Sequence, residues 1–430
     1  MRSLFKKIIA GVLRVEAAAA LRVYRPHIVA VTGSVGKTST KDAIFAMLAG
    51  SYHVRGSEKS FNSEFGLPLT ILGLPNAWNN IFRWILNILD GAMLPHIGAH
   101  YPAWLVLEVG ADRPGDISSL ERWLPVDIAV ITRLPEVPVH VEYFKSPEHV
   151  VEEKASLIKA LKPHGTLVLF ADDERTRALQ SRTSGSVITF GFSEGASVRG
   201  EHFKILRAED GTPMGMEGQL RVDGNAVRIE VPGTVGPHTF LPVLAAAAVG
   251  KALGKNLEEI AEALRAYAPP PGRMRLVRGI RGSTIIDDTY NSSPAAVQAA
   301  FETLALIEPK GRMIAVLGDM AELGKHSVGE HRAVGEQAAQ VADLLVTVGY
   351  RARDIAEGAL GAGMQDDAIL QFENSEEAGA ELARLVAKGD CVLIKGSQSM
   401  RMERAVEATM AEPGRMAELL VRQDSEWKKR

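Results

Sequence analysis

The chain has 430 residues, of which 46% are hydrophobic and 23% are charged, a globular composition that excludes a disordered or collagen-like protein. Its 49 basic and 52 acidic side chains give a formal net charge of −3, which argues against a dedicated nucleic-acid binder. The single Cys391 excludes a disulfide framework and a cysteine-based zinc site. At roughly 150 residues per domain, this length predicts two or three domains.

The first 25 residues predict an amphipathic helix rather than a cleaved leader, because Arg14 and Glu16 interrupt the apolar run. Five apolar side chains share one face at helical spacing: Leu4, Phe5, Ile8, Ile9 and Val12. We expect this helix to pack on the domain behind it, with attachment to a membrane surface as the alternative. No segment spans a bilayer, so we expect a cytoplasmic protein.

From residue 26 onward, apolar runs of strand length alternate with helical stretches. Strands are predicted at 27–31, 105–109, 128–132, 166–170 and 187–190, and helices at 37–49, 150–161 and 237–253. Residues 219–222 and 227–230 alternate around Asp223-Gly224, which is typical of an antiparallel hairpin. This order predicts an α/β domain over residues 26–268, with a mostly parallel sheet and a small antiparallel patch.

Three prolines and a glycine at residues 269–272 predict a stiff hinge, because proline cannot continue a helix. The alternation then restarts. Strands are predicted at 283–287, 313–317, 344–348 and 391–395. We therefore predict a second α/β domain over residues 273–430.

Residues 31–40 carry the sharpest motif, a glycine-containing loop that follows the first predicted strand and opens a helix. Its backbone N–H groups and the helix N-terminus suit a phosphate. Lys37 would reach the β- and γ-phosphates of a nucleotide, and the Thr38 hydroxyl would hold Mg²⁺. The predicted nucleotide-binding residues are Thr32, Gly33, Ser34, Val35, Gly36, Lys37, Thr38 and Ser39.

Seven stretches, in this order, resemble the Mur ligase family, and within it the MurF type. They are residues 31–40, 61–70, 107–111, 271–274, 287–294, 316–324 and 392–397. The resemblance extends from about residue 26 to about residue 408. It implies a P-loop central domain followed by a Rossmann-like C-terminal domain.

The resemblance also implies a reaction. ATP phosphorylates a carboxylate to an acyl phosphate, and an amine then displaces phosphate to leave an amide. The MurF type joins D-alanyl-D-alanine to UDP-N-acetylmuramoyl-tripeptide in peptidoglycan precursor synthesis. ATP, Mg²⁺ and these small molecules are therefore the expected ligands. We expect a monomer with no nucleic-acid partner and at most peripheral membrane contact.

The family's functional positions fall on identifiable residues here. Metal ligands are implied at Thr38, Glu108, His140 and Lys154, the last as a lysine carbamylated by CO₂. Catalytic roles are implied for Lys37, Lys154, Arg273 and His140. Asp288 and Asn291 would contact the adenosine side of ATP, Asn62 the first substrate and Lys395 the amine substrate.

Without the family resemblance, the same residues could also have purely structural or surface roles. Glu108 could be an ordinary acid at a strand end, and Lys154 a solvated helix lysine. Arg273 could lie at the surface beside the hinge, and His140 in a loop without a ligand. Asp and Asn before Pro294 also suit a simple turn.

Three departures from the family bear on the substrate. The MurF type usually has a further N-terminal domain that helps hold the uridine diphosphate, yet only about 26 residues precede the first strand here. Residues 238–242 lack the family's asparagines. The third departure is an apolar stripe at helical spacing, which we expect to pack on the core: Trp78, Ile81, Phe82, Ile85, Ile88, Leu89 and Ala92.

Alternatives for the stripe are an interfacial membrane helix, a dimer contact or a substitute substrate wall. The function leaves two alternatives as well. One is a Mur-like ligase for another amino acid or polymer. The other is a non-catalytic nucleotide-binding module.

Overall fold

The computed structural model describes residues 2–58, 61–78, 80–97, 100–424 and 427, with side chains from residue 7 onward. Within these residues the strands form one sheet of nine strands and one of six. The first sheet ends at Pro232 and the second begins at Arg275, so residues 269–272 separate the two sheets along the chain.

The strands and helices alternate over most of the chain. The strands are β1 His27–Thr32, β2 Val54–Gly56, β3 Trp104–Glu108, β4 Val126–Ile131, β5 Leu161–Phe170, β6 Ser186–Gly191, β7 Val198–Arg207, β8 Pro213–Val222, β9 Asn225–Pro232, β10 Arg275–Arg278, β11 Thr284–Asp288, β12 Met313–Gly318, β13 Leu344–Val348, β14 Ile369–Phe372 and β15 Cys391–Lys395. The helices are α1 Arg2–Tyr24, α2 Lys37–Ala49, α3 Gly66–Leu72, α4 Ile81–Met93, α5 Pro147–Ala155, α6 Glu174–Arg177, α7 Leu241–Ala252, α8 Leu257–Leu264, α9 Pro294–Leu304, α10 Ser327–Val341, α11 Arg353–Gly361, α12 Ser375–Leu385, α13 Glu403–Thr409 and α14 Met416–Leu419.

The first sheet has the order β2-β3-β1-β4-β5-β6-β7-β8-β9. Its strands pair in parallel from β2 to β7, and β7, β8 and β9 pair antiparallel. The β8–β9 turn has positive φ at Asp223 (50°) and Gly224 (83°), as a tight hairpin requires. The predicted fold, a mostly parallel sheet with a small antiparallel patch, is confirmed.

The second sheet has the order β10-β11-β15-β12-β13-β14. All neighbours are parallel except the antiparallel pair β10–β11. The four strands predicted after the hinge form its centre. The two edge strands, each of four residues, carry no period long enough to be recognised from the sequence.

Both faces of the first sheet are covered, which fixes the position of the loop after β1. Val29 and Val31 pack with α2 and α7 on one face. Ile28 and Ala30 pack with α1 and α3 on the other face. A parallel sheet buried on both faces holds its strand ends rigidly, and β1 therefore presents the loop at the carboxyl edge.

The predicted N-terminal helix is present, but its inward face differs from the expected one. Ile9, Leu13 and Ala17 are buried, whereas Ile8 is 56% exposed. The side chains of Leu4 and Phe5 lie outside the described residues. The packed face follows the alanine-rich second half of the helix rather than the apolar run at its start.

The prediction that the apolar stripe packs on the core is wrong for most of its members. Phe82 is 76% exposed and Ile85 is 50% exposed. The buried residues of α4 are Asn87 and Gly91. The Asn87 amide donates to the carbonyl of Pro75 at 2.8 Å, which anchors the polar edge of the helix inward and leaves the apolar edge in solvent.

No helix in the described ranges combines the length and the apolar composition that a bilayer crossing needs. Helices α1 and α4 pack closely at Glu16, whose carboxylate lies where any side chain at Gly91 would have to go. One Glu16 oxygen is buried with no hydrogen-bond partner among the described residues. Burial raises the pKa of Glu16 from 4.5 to about 7.

This raised pKa predicts a stability that falls as the pH rises. Between pH 4.5 and 7 the unfolded chain loses the Glu16 proton while the folded chain keeps it, so unfolding becomes easier across that window. Replacing Glu16 with Gln removes the titration. The Tm of Glu16→Gln should therefore exceed that of the wild type at pH 8, with a smaller difference at pH 5.5.

Glu194→Gln is the matched control, because Glu194 is exposed. Its Tm difference from the wild type should not depend on pH. An equal Tm difference for Glu16→Gln at both pH values would contradict the assignment.

Candidate active site

The loop between β1 and α2 is held open by glycine geometry and by β4. Gly33 has φ of 140°, and a side chain there would collide with Thr132. Gly36 has φ of 85° and directly precedes α2. The Thr132 hydroxyl donates to the Val35 carbonyl at 2.8 Å. The loop is therefore shaped before any ligand arrives, with its backbone at the helix N-terminus.

Further contacts tie the loop to its neighbours. The Ser34 N–H donates to the Arg133 carbonyl at 3.0 Å, just beyond β4. Thr32, Thr38 and Ser39 are buried. The Tyr267 hydroxyl hydrogen-bonds Ser39. The sequence-predicted nucleotide residues are thus brought together in one rigid segment.

Lys37 is the first residue of α2, and it interacts electrostatically with Glu108 and Arg273. Burial lowers its pKa, Glu108 counteracts this, and Arg273 lowers the pKa further. The Arg273 guanidinium lies 3.5 Å from the Thr38 hydroxyl. Two cations beside one hydroxyl at a helix N-terminus form a site for a polyphosphate.

Arg273 is held by the residues around the hinge. Its guanidinium lies 4.0 Å from the centroid of the Tyr290 ring, and its Nε has no hydrogen-bond partner among the described residues. The Tyr290 N–H donates to the Gly272 carbonyl at 3.1 Å, and Gly272 has φ of 68°. Arg422 in turn donates to the Tyr290 carbonyl. The C-terminal segment therefore fixes Tyr290, and Tyr290 fixes Arg273.

Arg422 gave no sequence signal, because its neighbours are distant along the chain. It forms a buried ion pair with Glu403 at 2.8 Å and also donates to Thr289. Both members of the pair are buried, and Glu403 also pairs with Arg401 at 2.5 Å, so removing Glu403 would leave the buried Arg422 without this partner.

Glu108 ends β3 and lies beside the loop. It is 1% exposed, and one carboxylate oxygen accepts from the Asn62 amide at 2.9 Å. The other oxygen is buried without a partner in the described structure. A buried carboxyl group with one free oxygen suits a hard cation such as Mg²⁺.

Lys154 is fully buried at the end of α5, and its ammonium nitrogen has no hydrogen-bond partner among the described residues. Burial and the charge of Lys37 lower its pKa to about 7. The solvated-lysine alternative is therefore wrong. The lowered pKa favours the neutral amine, which is the form that can act as a nucleophile.

His140 lies between the two halves of the chain. Its Nδ1 is 2.5 Å from a Glu322 carboxylate oxygen, and its Nε2 is 3.5 Å from an Asp112 oxygen. The hydrogen bond from His140 lowers the pKa of Glu322. Glu322 follows β12, so this contact joins the second half of the chain to the first. Within the described ranges, no three His, Cys, Asp or Glu side chains form a metal-binding group by themselves.

A cavity that is partly open to solvent separates the phosphate loop from the start of the second sheet. Asp288, Asn291 and Lys395 line it together with Arg273. Lys395 is 2% exposed and donates to the Asp288 carboxylate at 2.6 Å and to the Asn291 carbonyl at 2.9 Å. Asp288 also accepts from the Met274 N–H at 3.2 Å. The residues predicted for the adenosine side and for the amine side therefore lie in one cavity.

Sequence reasoning missed two residues that line this cavity. They are Arg133, just after β4, and His238, in the segment that lacks the family's asparagines. Burial lowers the pKa of His238 to about 4, so its ring is neutral at physiological pH. A neutral ring beside Thr239 offers a hydrogen-bond partner and a stacking surface without added charge.

Two family models match the chain. The Mur ligase middle domain matches residues 93–250, and the Mur ligase glutamate ligase domain matches residues 272–398. The chain is 30% identical to the UDP-N-acetylmuramoyl-tripeptide–D-alanyl-D-alanine ligase of Bacillus subtilis, over 90% of this chain and 76% of that protein. It is 31% identical to the same ligase of Mycobacterium leprae, over 87% of this chain and 71% of that protein.

The comparison with solved structures also finds a Mur ligase. The MurF ligase of Thermotoga maritima in complex with ADP superposes with a TM-score of 0.76 at 28% identity, covering 93% of this chain and 83% of that chain. The shared fold thus extends over most of this chain.

Proposed function

Because this chain belongs to the Mur ligase family, we propose that it is an ATP-dependent ligase that joins D-alanyl-D-alanine to UDP-N-acetylmuramoyl-tripeptide. This step belongs to peptidoglycan precursor synthesis, and we place it in the cytoplasm. The observation that carries the proposal is the similarity to this ligase over 90% of the chain. The site supports it, because the phosphate loop, the buried Asp288 and the buried Lys395 line one cavity.

The reaction proceeds in two steps. A carboxylate oxygen of the tripeptide attacks the γ-phosphorus of ATP, the bond to the bridging oxygen breaks, and ADP leaves. The amine of D-alanyl-D-alanine then attacks the acyl-phosphate carbonyl. Phosphate leaves, the amine loses a proton, and an amide remains. One ATP is therefore converted to ADP and phosphate for each amide formed.

The protein's main task in the first step is to bring two anions together. Lys37 and the loop N–H groups neutralise the phosphates in the ground state. Arg273 lies at the Thr38 hydroxyl and contributes most as the γ-phosphoryl group transfers. The planar guanidinium of Arg273 suits hydrogen bonds to the equatorial oxygens of the γ-phosphoryl group.

Mg²⁺ fits the oxygen donors present. Thr38 and Glu108 would hold one ion, since Glu108 has a buried oxygen without a partner. When bound, the metal neutralises phosphate charge as the γ-phosphoryl group moves. Asn62 fixes the other Glu108 oxygen and so orients the carboxylate.

Lys154 fits the carbamate role. Its neutral amine would attack CO₂ and lose a proton, giving a carboxylate at a position that now has an unpartnered nitrogen. With His140, this carboxylate would hold a second Mg²⁺. Glu322 would then orient the His140 ring through Nδ1, which leaves Nε2 as the ligand atom.

The cavity beyond the loop would hold the nucleoside. Asp288 and Asn291 would contact its adenosine, and His238 would lie beside them as a neutral group. Lys395 is tied to Asp288, so it would attract the carboxylate of the incoming dipeptide only as that ion pair loosens. Asn62 would lie on the side of the tripeptide.

The activity is tested by mass spectrometry. Purified protein with ATP, Mg²⁺, UDP-N-acetylmuramoyl-tripeptide and D-alanyl-D-alanine should yield the pentapeptide product and one phosphate per amide. Phosphate release only with a different acid and amine would retain the ligase chemistry and reassign the substrate. ATP binding without any product across a panel of acids and amines would favour the non-catalytic module.

The carbamate is tested by ¹³C NMR under ¹³CO₂. A carbamate signal should appear in the wild type and grow as the pH rises through about 7 at fixed CO₂ pressure, because only the neutral amine reacts. Lys154→Ala should lack the signal and lose about tenfold to hundredfold in turnover. Acetate or formate should restore part of that turnover.

Lys159→Ala is the matched control, since Lys159 is an exposed lysine five residues further along the chain. It should keep both the carbamate signal and the turnover. A carbamate signal that survives in Lys154→Ala would assign the modification to another lysine.

The role of Arg273 is tested by the split between kcat and KM. Arg273→Ala should lower kcat by about 10³-fold while the KM for ATP changes much less. Tyr290→Leu removes the ring under the guanidinium and should lower kcat roughly threefold or more, whereas Tyr290→Phe keeps the ring and the activity. Equal losses in kcat and ATP affinity for Arg273→Ala would make it a ground-state contact only.

A further inference from the structure

The most unusual surface of the molecule lies on α1 and α4. Nineteen large hydrophobic side chains are exposed in the described part of the chain, and nine of them lie on these two helices. We call these nine the outer face. They are Ile8, Val15 and Val23 on α1, and Ile81, Phe82, Ile85, Leu86, Leu89 and Met93 on α4. Apolar surface on this scale marks a docking site.

The outer face is built into the fold, since both helices are anchored by their other edges. Leu13 and Ala17 bury one side of α1, and Asn87 and Gly91 bury one side of α4. The Tyr24 hydroxyl at the end of α1 donates to the Leu94 carbonyl at the end of α4 at 2.6 Å. The apolar edges therefore cannot turn inward without breaking these contacts.

The charge around the outer face indicates what kind of partner it can bind. Each exposed aliphatic residue of α1 directly follows an exposed cation: Lys7-Ile8, Arg14-Val15 and Arg22-Val23. Spacings of seven and eight residues place the three pairs along one side of the helix. Residues 2–25 contain six basic side chains and one acidic side chain, although the whole chain has a net charge of −3.

The positive charge extends past the end of α1. Arg22 and Arg25 line a groove together with Arg122, Lys159 and Lys162. Lys162 forms an ion pair with Asp127, and the other four cations of the groove take no part in that pair. Glu121 is the acidic side chain that lines this groove.

We propose that the outer face docks on a membrane surface rich in anionic lipids, with α1 and α4 lying in the plane of the headgroups. Basic side chains interleaved with aliphatic ones match a surface whose headgroups are negative and whose interior is apolar. A second copy docked on the same face would bring two basic helices together, which like-charge repulsion opposes. The function deduced above does not depend on this proposal.

The proposal is tested by sedimentation of the full chain with vesicles. The protein should bind vesicles of phosphatidylcholine mixed with phosphatidylglycerol, should bind vesicles of phosphatidylcholine alone much more weakly, and should be released by salt. Phe82→Glu with Ile85→Glu should weaken binding at least about tenfold. Lys7→Ser with Arg14→Ser should reduce the preference for phosphatidylglycerol.

Tyr350→Glu is the matched control, because Tyr350 is 80% exposed and lies after β13, on the second sheet. It should bind vesicles like the wild type. Ligase turnover in solution should be unchanged in all these variants, which also shows that they fold.

Three results would overturn the proposal. The first is no vesicle binding, or binding that the outer-face substitutions leave intact. The second is a fall in the sedimentation mass of the protein alone on Phe82→Glu, which would make the face a contact between copies. The third is a raised KM for the UDP-linked substrate without a change in vesicle binding, which would make α4 a wall of the substrate site.

Discussion

Burial of several cations in one place is the constraint on which the site depends. Burial lowers the pKa of Lys154 most, and the charge of Lys37 lowers it further. Burial likewise lowers the pKa of Lys37, Glu108 counteracts this, and Arg273 adds to it. Such a site is unfavourable when empty and becomes favourable when a triphosphate supplies the missing negative charge. The same burial and the neighbouring cation favour the neutral, reactive form of Lys154, so nucleotide binding and lysine chemistry share one electrostatic setting.

The cations come from elements that meet only when the chain is folded around its hinge. Lys37 belongs to the first sheet's loop, whereas Arg273 begins the segment that leads to the second sheet. Tyr290 and Arg422 hold Arg273 from the second half, and His140 meets Glu322 across the same gap. Any motion that separated the halves would remove Arg273 from Thr38 before it disturbed Lys37 or Glu108. Catalytic competence would thus be lost while much of the phosphate loop stayed intact.

Local patterns in the sequence predicted what depends on local order. The phosphate loop, the hairpin at Asp223-Gly224 and the central strands of both sheets each have a short-range signature. The environment of Lys154 has none, because its key neighbour Lys37 is 117 residues away in the chain. The contacts of Arg422 could not be predicted for the same reason, because Thr289 and Tyr290 are distant from it along the chain. The inward face of α4 was mispredicted because hydrophobic periodicity reports which residues share a face, and one buried amide decided which face turns inward.

The outer face and the catalytic site are connected by two contacts. Trp84 on α4 lies with its ring centroid 5.5 Å from that of Phe65. Phe65 directly precedes α3 and lies three residues after Asn62, whose amide orients Glu108. A membrane that fixed α4 would therefore also restrict the loop that orients Glu108. Because Asn62 lies on the side assigned to the tripeptide, docking would hold the entrance for that substrate at a constant distance from the lipid surface.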